Sequence, residues 1–130
     1  MAKSRGKLLV ASIAAMIVLT LTLAMPASAQ TRAKVTNGTC ANKSTWTLTL
    51  KLDNGRIEAD IDVHTLKAGQ VWNSVFKDNG TIFARAIKTS GTDGSWSASR
   101  FATNQTGTDA FVVKATNATT GEVCRATGSF

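Results

Sequence analysis

The stretch "EADIDVH", residues 58–64, alternates three carboxylates with apolar residues and ends in the single histidine of the chain. In an extended strand Glu58, Asp60, Asp62 and His64 share one face. Carboxylates and an imidazole so aligned can collect a cation, with Asp60, Asp62 and His64 as the ligands. Side chains two apart on a strand diverge more than the oxygens of a calcium loop, and the Asp/Asn-Gly spacing of such a loop is absent. Hydrolytic zinc takes at least two or three nitrogen or sulfur ligands, and one histidine does not supply them. The row reads as a solvated face, and no metal is assigned.

His64 would also have to be the base of any serine triad, but no serine sits in a strand–turn–helix elbow. Phosphate-binding glycine loops and nucleotide fingerprints are missing from the sequence. Two carboxylates at glycosidase separation can be found in any sandwich and specify nothing alone. No catalytic residue and no cofactor follow from these residues, and the chain reads as a protein that is not an enzyme.

The acidic row must be positioned by a hairpin. Asn54-Gly55 is the strongest short signal for a type I′ turn, whose two central residues need positive φ. A two-residue loop sets Asp53 against Arg56, Lys51 against Glu58, Leu48 against Ile61 and Trp46 against Val63. One face is then Trp46, Leu48, Leu50 and Leu52 against Ile57, Ala59, Ile61 and Val63. The other carries threonines and charges. A slip of one residue would set the leucines against Arg56, Glu58, Asp60 and Asp62, which a half-buried ribbon does not tolerate.

Period-2 runs recur to the C-terminus. Residues 70–77 and 81–89 make a second hairpin about Asn79-Gly80, in one of two registers: Phe76 opposite Phe83, or Val75 opposite Phe83. Runs at 95–101, 109–116 and 122–129 follow, giving seven strands, or eight if residues 38–40 pair. Short strands at this spacing, with no amphipathic helix among them, indicate an antiparallel all-β sandwich or barrel.

The first thirty residues differ in kind. Lys3, Arg5 and Lys7 precede the apolar run Leu8–Met25, and Ala27-Ser28-Ala29 fits a secretory cleavage site after the helix-stopping Pro26. Residues 1–29 are read as a cleaved signal peptide, with an uncleaved anchor as the rival since the run approaches spanning length. Residues 30–37 are expected to be loose, and 38–130 to form one domain. Removing 1–29 leaves 12 basic against 8 acidic residues, a net +4 rather than +7. That balance, without a basic block, does not point to nucleic acid. The product is expected to be secreted, extracellular or envelope-associated, with no membrane contact after cleavage. Cys40 and Cys124, an even pair in a small exported domain, read as a disulfide.

"TDAFVVKATNATTGEVC" resembles the penultimate-strand, loop and final-strand passage of immunoglobulin-like domains, with Phe111, Val113, Ala115, Asn117 and Gly121 at the characteristic places. Phe111 replaces the family's tyrosine and Val113 its inter-sheet cysteine, so the resemblance implies a sandwich in which Cys40–Cys124 instead ties the first strand to the last. The chain from residue 30 is also similar to small exported, uncharacterised proteins of high-GC Gram-positive bacteria with one such disulfide, a likeness that implies no activity.

Trp46 and Trp72 are expected in the core, the latter because immunoglobulin-like domains bury such an aromatic. Trp96, between serines in "GSWSASR", is either a core anchor or an exposed platform for sugar stacking or a protein contact, with Arg100 beside it. Arg85, Lys88, Arg100, Lys114 and Arg125 fall on separate strands, and if gathered would face acidic polymers. Asn37, Asn42, Asn79, Asn104 and Asn117 begin N-x-[ST] triplets, which in a chain with a bacterial-looking signal read as turn asparagines. The expected function is non-catalytic: recognition, structure or envelope association, with a cell-envelope polymer, polysaccharide or another exported protein as partner. The alternatives are a carbohydrate-binding module using Trp96, or an inhibitor of an exported hydrolase presenting loop 89–95 or 102–108.

Overall fold

Alternation of apolar and polar residues writes two faces onto seven of eight strands, and those seven close one core. The computed structural model describes residues 32–130 together with Ala24; the signal segment expected at 1–29, Ala24 apart, lies outside the described residues. The strands are β1 (Ala33–Thr39), β2 (Thr45–Asp53), β3 (Arg56–His64), β4 (Val71–Asp78), β5 (Thr81–Thr89), β6 (Ser95–Thr103), β7 (Ala110–Asn117) and β8 (Val123–Ser129). They form two antiparallel four-stranded sheets, ordered β1-β2-β3-β6 and β5-β4-β7-β8. The chain changes sheet after β3, after β5 and after β6. Among the described residues there is no helix long and apolar enough to cross a membrane.

The β2–β3 register is the expected one along its whole length, from Asp53 opposite Arg56 to Trp46 opposite Val63. Asn54 and Gly55 both take positive φ, 49° and 76°, as a type I′ turn requires. Leu48, Leu50, Ile57, Ala59, Ile61 and Val63 are buried, whereas Leu52, beside the turn, is 38% exposed. It has passed the rim of the core. On the opposite face Lys51 Nζ lies 2.9 Å from Glu58 Oε2.

The second hairpin follows neither expected register throughout. Asp78 faces Thr81 and Lys77 faces Ile82 across Asn79-Gly80, but a bulge then shifts the ladder so that Phe76 faces Ala84. Phe83 is the extra residue. Without the bulge, period 2 would turn Arg85 and Ile87 inward; with it, Ala84 and Ala86 turn inward and Arg85 and Ile87 outward. The displaced Phe83 ring packs edge-on against Phe76 and Phe111, with centroids 6.0 and 5.9 Å away.

The segment 30–37, expected to be loose, is ordered strand from Ala33 onward. β1 pairs with β2 from Ala33 opposite Lys51 to Thr39 opposite Thr45. Its pattern shows no alternation, because nearly every residue on it is exposed at the sheet edge. Thr36 Oγ1 donates to the Thr127 carbonyl of β8 at 2.7 Å, and the Cys40–Cys124 disulfide fixes its end to the same strand. Gly38 leaves room for Trp46: a Cβ there would stand 2.6 Å from the indole.

Glu122 completes this corner. Its buried carboxylate accepts from the Asn42 and Ser44 amides and from the Ser44 hydroxyl, at 2.6, 3.3 and 2.6 Å. With three donors the charge is paired in place of water.

The disulfide spans 84 residues, so the loop-entropy relation puts its contribution at roughly 4–5 kcal/mol, an upper figure. Replacing both cysteines by alanine is expected to lower the unfolding free energy in urea by about 2–5 kcal/mol, with β1 the first element to lose amide protection. Equal protection of β1 in the two proteins would refute this role. Gly38→Val is expected to cost about 1–3 kcal/mol by overpacking Trp46, read from the same urea midpoint.

Candidate functional site

The outer face of the first sheet carries the acidic row. Asp60 sits between Thr49 and Ser99, Asp62 between Thr47 and Ser97, and His64 between Thr45 and Ser95. Ser99 Oγ donates to Asp60 Oδ1 at 3.0 Å. Burial, and then the nearby charge of Asp60, raise the pKa of Asp62, while His64 opposes the shift. No three His, Cys, Asp or Glu side chains among the described residues converge closely enough to hold a metal ion. The face is a solvated mosaic of hydroxyls and carboxylates.

Trp96 is not an exposed platform. It is 5% exposed and meets Trp72 of the opposite sheet with ring centroids 5.9 Å apart. The physical reason is parity: Trp96, Ala98 and Ala102 all point inward from β6 opposite Val63, Ile61 and Ile57. A sugar module using Trp96 has no ring to offer. Both indole N–H groups are buried without a protein acceptor, so these rings serve packing rather than polar recognition.

Arg100 shares that inward parity but lies at the open edge between β6 and β5. Its Nε donates to the Arg85 carbonyl at 3.2 Å and its Nη1 to the Ser99 carbonyl at 2.7 Å. A half-buried guanidinium on an edge strand links the two sheets there and blunts the edge. It holds the main chain of Arg85.

The loops proposed for an inhibitor are short connections at opposite ends of the sandwich. Residues 90–94 form a tight turn in which the Gly91 amide donates to the Ser95 carbonyl at 2.8 Å and the Gly94 amide to the Gly91 carbonyl at 2.9 Å. The Thr65 hydroxyl ties it to the neighbouring connection through the Gly94 carbonyl, at 2.6 Å.

The outer face of the second sheet is different in kind. Outward residues of β4, β5, β7 and β8 build a trough of about 370 Å³ whose lining includes Val75, Ile82 and Val112 between Lys77, Arg85, Lys114 and Arg125. Three of these cations were expected to be gathered if the sheet allowed it; Lys88 and Arg100 are not among them. Lys88 lies opposite Trp72, on the other parity of β5. Lys77 and the apolar floor escaped sequence reasoning, although the outward parity of Val75 and Lys77 follows once Trp72 and Phe76 are placed inward. All eight acidic residues lie elsewhere: Asp53, Glu58, Asp60 and Asp62 on the first sheet, Asp93 in a connection, and Asp78, Asp109 and Glu122 buried.

Asp78 and Asp109 form a second polar centre, at the end of the core under residues 104–108. Both are buried, and Gln105 joins them: its amide donates to Asp109 Oδ2 and its Nε2 to Asp78 Oδ2, each at 3.2 Å. Burial, followed by the charge of Asp109, raises the pKa of Asp78. Two buried carboxylates without a cationic partner share their site most easily when one keeps a proton.

No protein-family model, no curated protein and no solved structure matches the chain. Function is argued from these two faces.

Because the native pKa of Asp78 is raised, folding takes up a proton. Its contribution is complete below the unfolded carboxyl pKa of about 3.9 and is lost as pH rises through the native value. Asp62 acts in the same direction. The melting temperature of wild type relative to Asp78→Asn is therefore expected to fall between pH 4 and pH 8. A difference that grows with pH would be the wrong sign.

Proposed function

We propose that the chain is an exported, non-catalytic recognition protein whose second sheet binds an anionic polymer of the cell envelope. The observation that carries this is the segregation of charge: one cation from each of β4, β5, β7 and β8 around an apolar trough, on a face with no carboxylate. Such a face keeps a uniform positive potential and attracts polyanions without competition from its own acids. Trough and face are preformed by a sheet ladder, so little ordering opposes binding.

Export is supported by the signal-like first 29 residues and by a disulfide that persists in oxidising surroundings. An immunoglobulin-like relation is supported by the Phe111, Val113, Ala115 and Asn117 passage, all four buried, and by Trp72 buried on β4. Asn117 accepts the Thr119 and Thr120 amides at 2.8 and 3.1 Å, which suits its place at the start of the last turn.

Purified protein is expected to bind polygalacturonate and not its neutral methyl ester. The triple variant Arg85→Gln/Lys114→Gln/Arg125→Gln should bind at least tenfold more weakly at low salt, while Lys43→Gln/Lys67→Gln, off this face, binds as wild type. Calorimetry with unchanged affinity in the triple variant would remove the proposal.

A further inference from the structure

Resting on that reading, the sheet register says how the polymer must lie. Val75 of β4 pairs with Arg85 of β5 on one side and with Lys114 of β7 on the other, and Lys114 pairs with Arg125 of β8. Arg85, Val75, Lys114 and Arg125 are thus one row running across the strands, perpendicular to the chain direction. Neighbouring strands lie about 4.8 Å apart, so the row spans about 14 Å from Arg85 to Arg125.

Each strand contributes a single outward cation, so a ligand following one strand has one cation on its own strand, whereas the row sets three abreast. The fourth cation, Lys77, sits one row away, where it pairs with Ile82 and Val112. Its long flexible stem suits it to serve the β4 place that Val75 leaves uncharged. The neighbouring row on that side is Ile82, Lys77, Val112 and Thr127, and on the other it is Ile87, Asn73, Thr116 and Val123. Ile87 is 72% exposed on this outer face. A charged line flanked by alternating aliphatic and hydrogen-bonding residues matches a chain that alternates anionic groups with hydroxyls and C–H surface.

We infer that the trough takes a linear anionic sugar or polyol chain laid across the strands, with about one negative charge per strand spacing and its C–H surface on Val75, Ile82 and Val112. A single-stranded nucleic acid is a poorer fit: it is held by base stacking on aromatic rings, and none of the trough-lining residues is aromatic. Whether the charge is carboxylate or phosphodiester is one chemistry to these cations, since guanidinium forks pair with either.

The test is a length series. Oligogalacturonates of one to eight residues, and phosphodiester-linked glycerol oligomers of the same lengths, are titrated calorimetrically against the protein. Affinity is expected to rise at least tenfold up to the length that reaches from Arg85 to Arg125, then to level off apart from statistical gain. The series with the tighter plateau names the source of the charge. Arg125→Gln should shorten the plateau length and, by counterion release, flatten the log–log salt slope by roughly 0.7–0.9; Arg85→Gln should do the same from the other end. Length-independent affinity, or a plateau unmoved by Arg125→Gln, overturns the across-strand mode. If long polymers still bind and the triple variant does not, the recognition face survives without this mode; if no polyanion binds at all, both fail.

Discussion

Side chains on a strand alternate with a period of two, so a shift of one residue exchanges inside for outside along the whole element. Everything distinctive here depends on where such a shift is forbidden and where it is used. In β2 and β3 it is forbidden, because a slip would bury Arg56, Glu58, Asp60 and Asp62. In β5 it is used. The bulge at Phe83 sends Arg85 and Ile87 to the surface, brings Ala84 and Ala86 to the core side, and keeps an aromatic against Phe76 and Phe111. One extra residue thus decides both core packing and the charge of a face.

The consequence is a molecule with two chemically opposed surfaces on one core. The first sheet shows hydroxyls, carboxylates, the Lys51–Glu58 pair and Arg56 stacked over Phe101 to solvent. That exposed pair contributes little to stability. The second shows four cations and aliphatic residues, without a carboxylate. Net charge alone, a modest +4 over residues 30–130, hides this separation. Arg100 belongs to neither surface; it fastens the gap between the sheets by holding the Arg85 main chain, so the edge of the trough has a support inside the fold.

The ends of the sandwich are closed by polar groups rather than by more apolar packing. Glu122 gathers the residues after Cys40, and the disulfide beside it fixes β1 to β8. At the other end Asp78 and Asp109 meet under residues 104–108. The two ends differ in kind: the first is a fully paired carboxylate, the second a carboxyl pair short of donors, with Asp78 Oδ1 unpartnered.

Local and periodic features were legible from residues 30–130 alone. Asn54-Gly55 and its flanking alternation specify a turn and a register within one short ribbon, and an even cysteine pair has only one internal partner to choose. What the tertiary structure decided involves groups far apart in the chain or choices that local pattern leaves balanced. β1 has no alternation to announce it and is a strand because β2, Thr127 and Cys124 hold it. Trp96 reads equally as platform or core until Trp72 faces it. Arg85 faces outward only because Phe83 bulges. The row of Arg85, Lys114 and Arg125 exists only when three ladders are in register, since no stretch of sequence contains it.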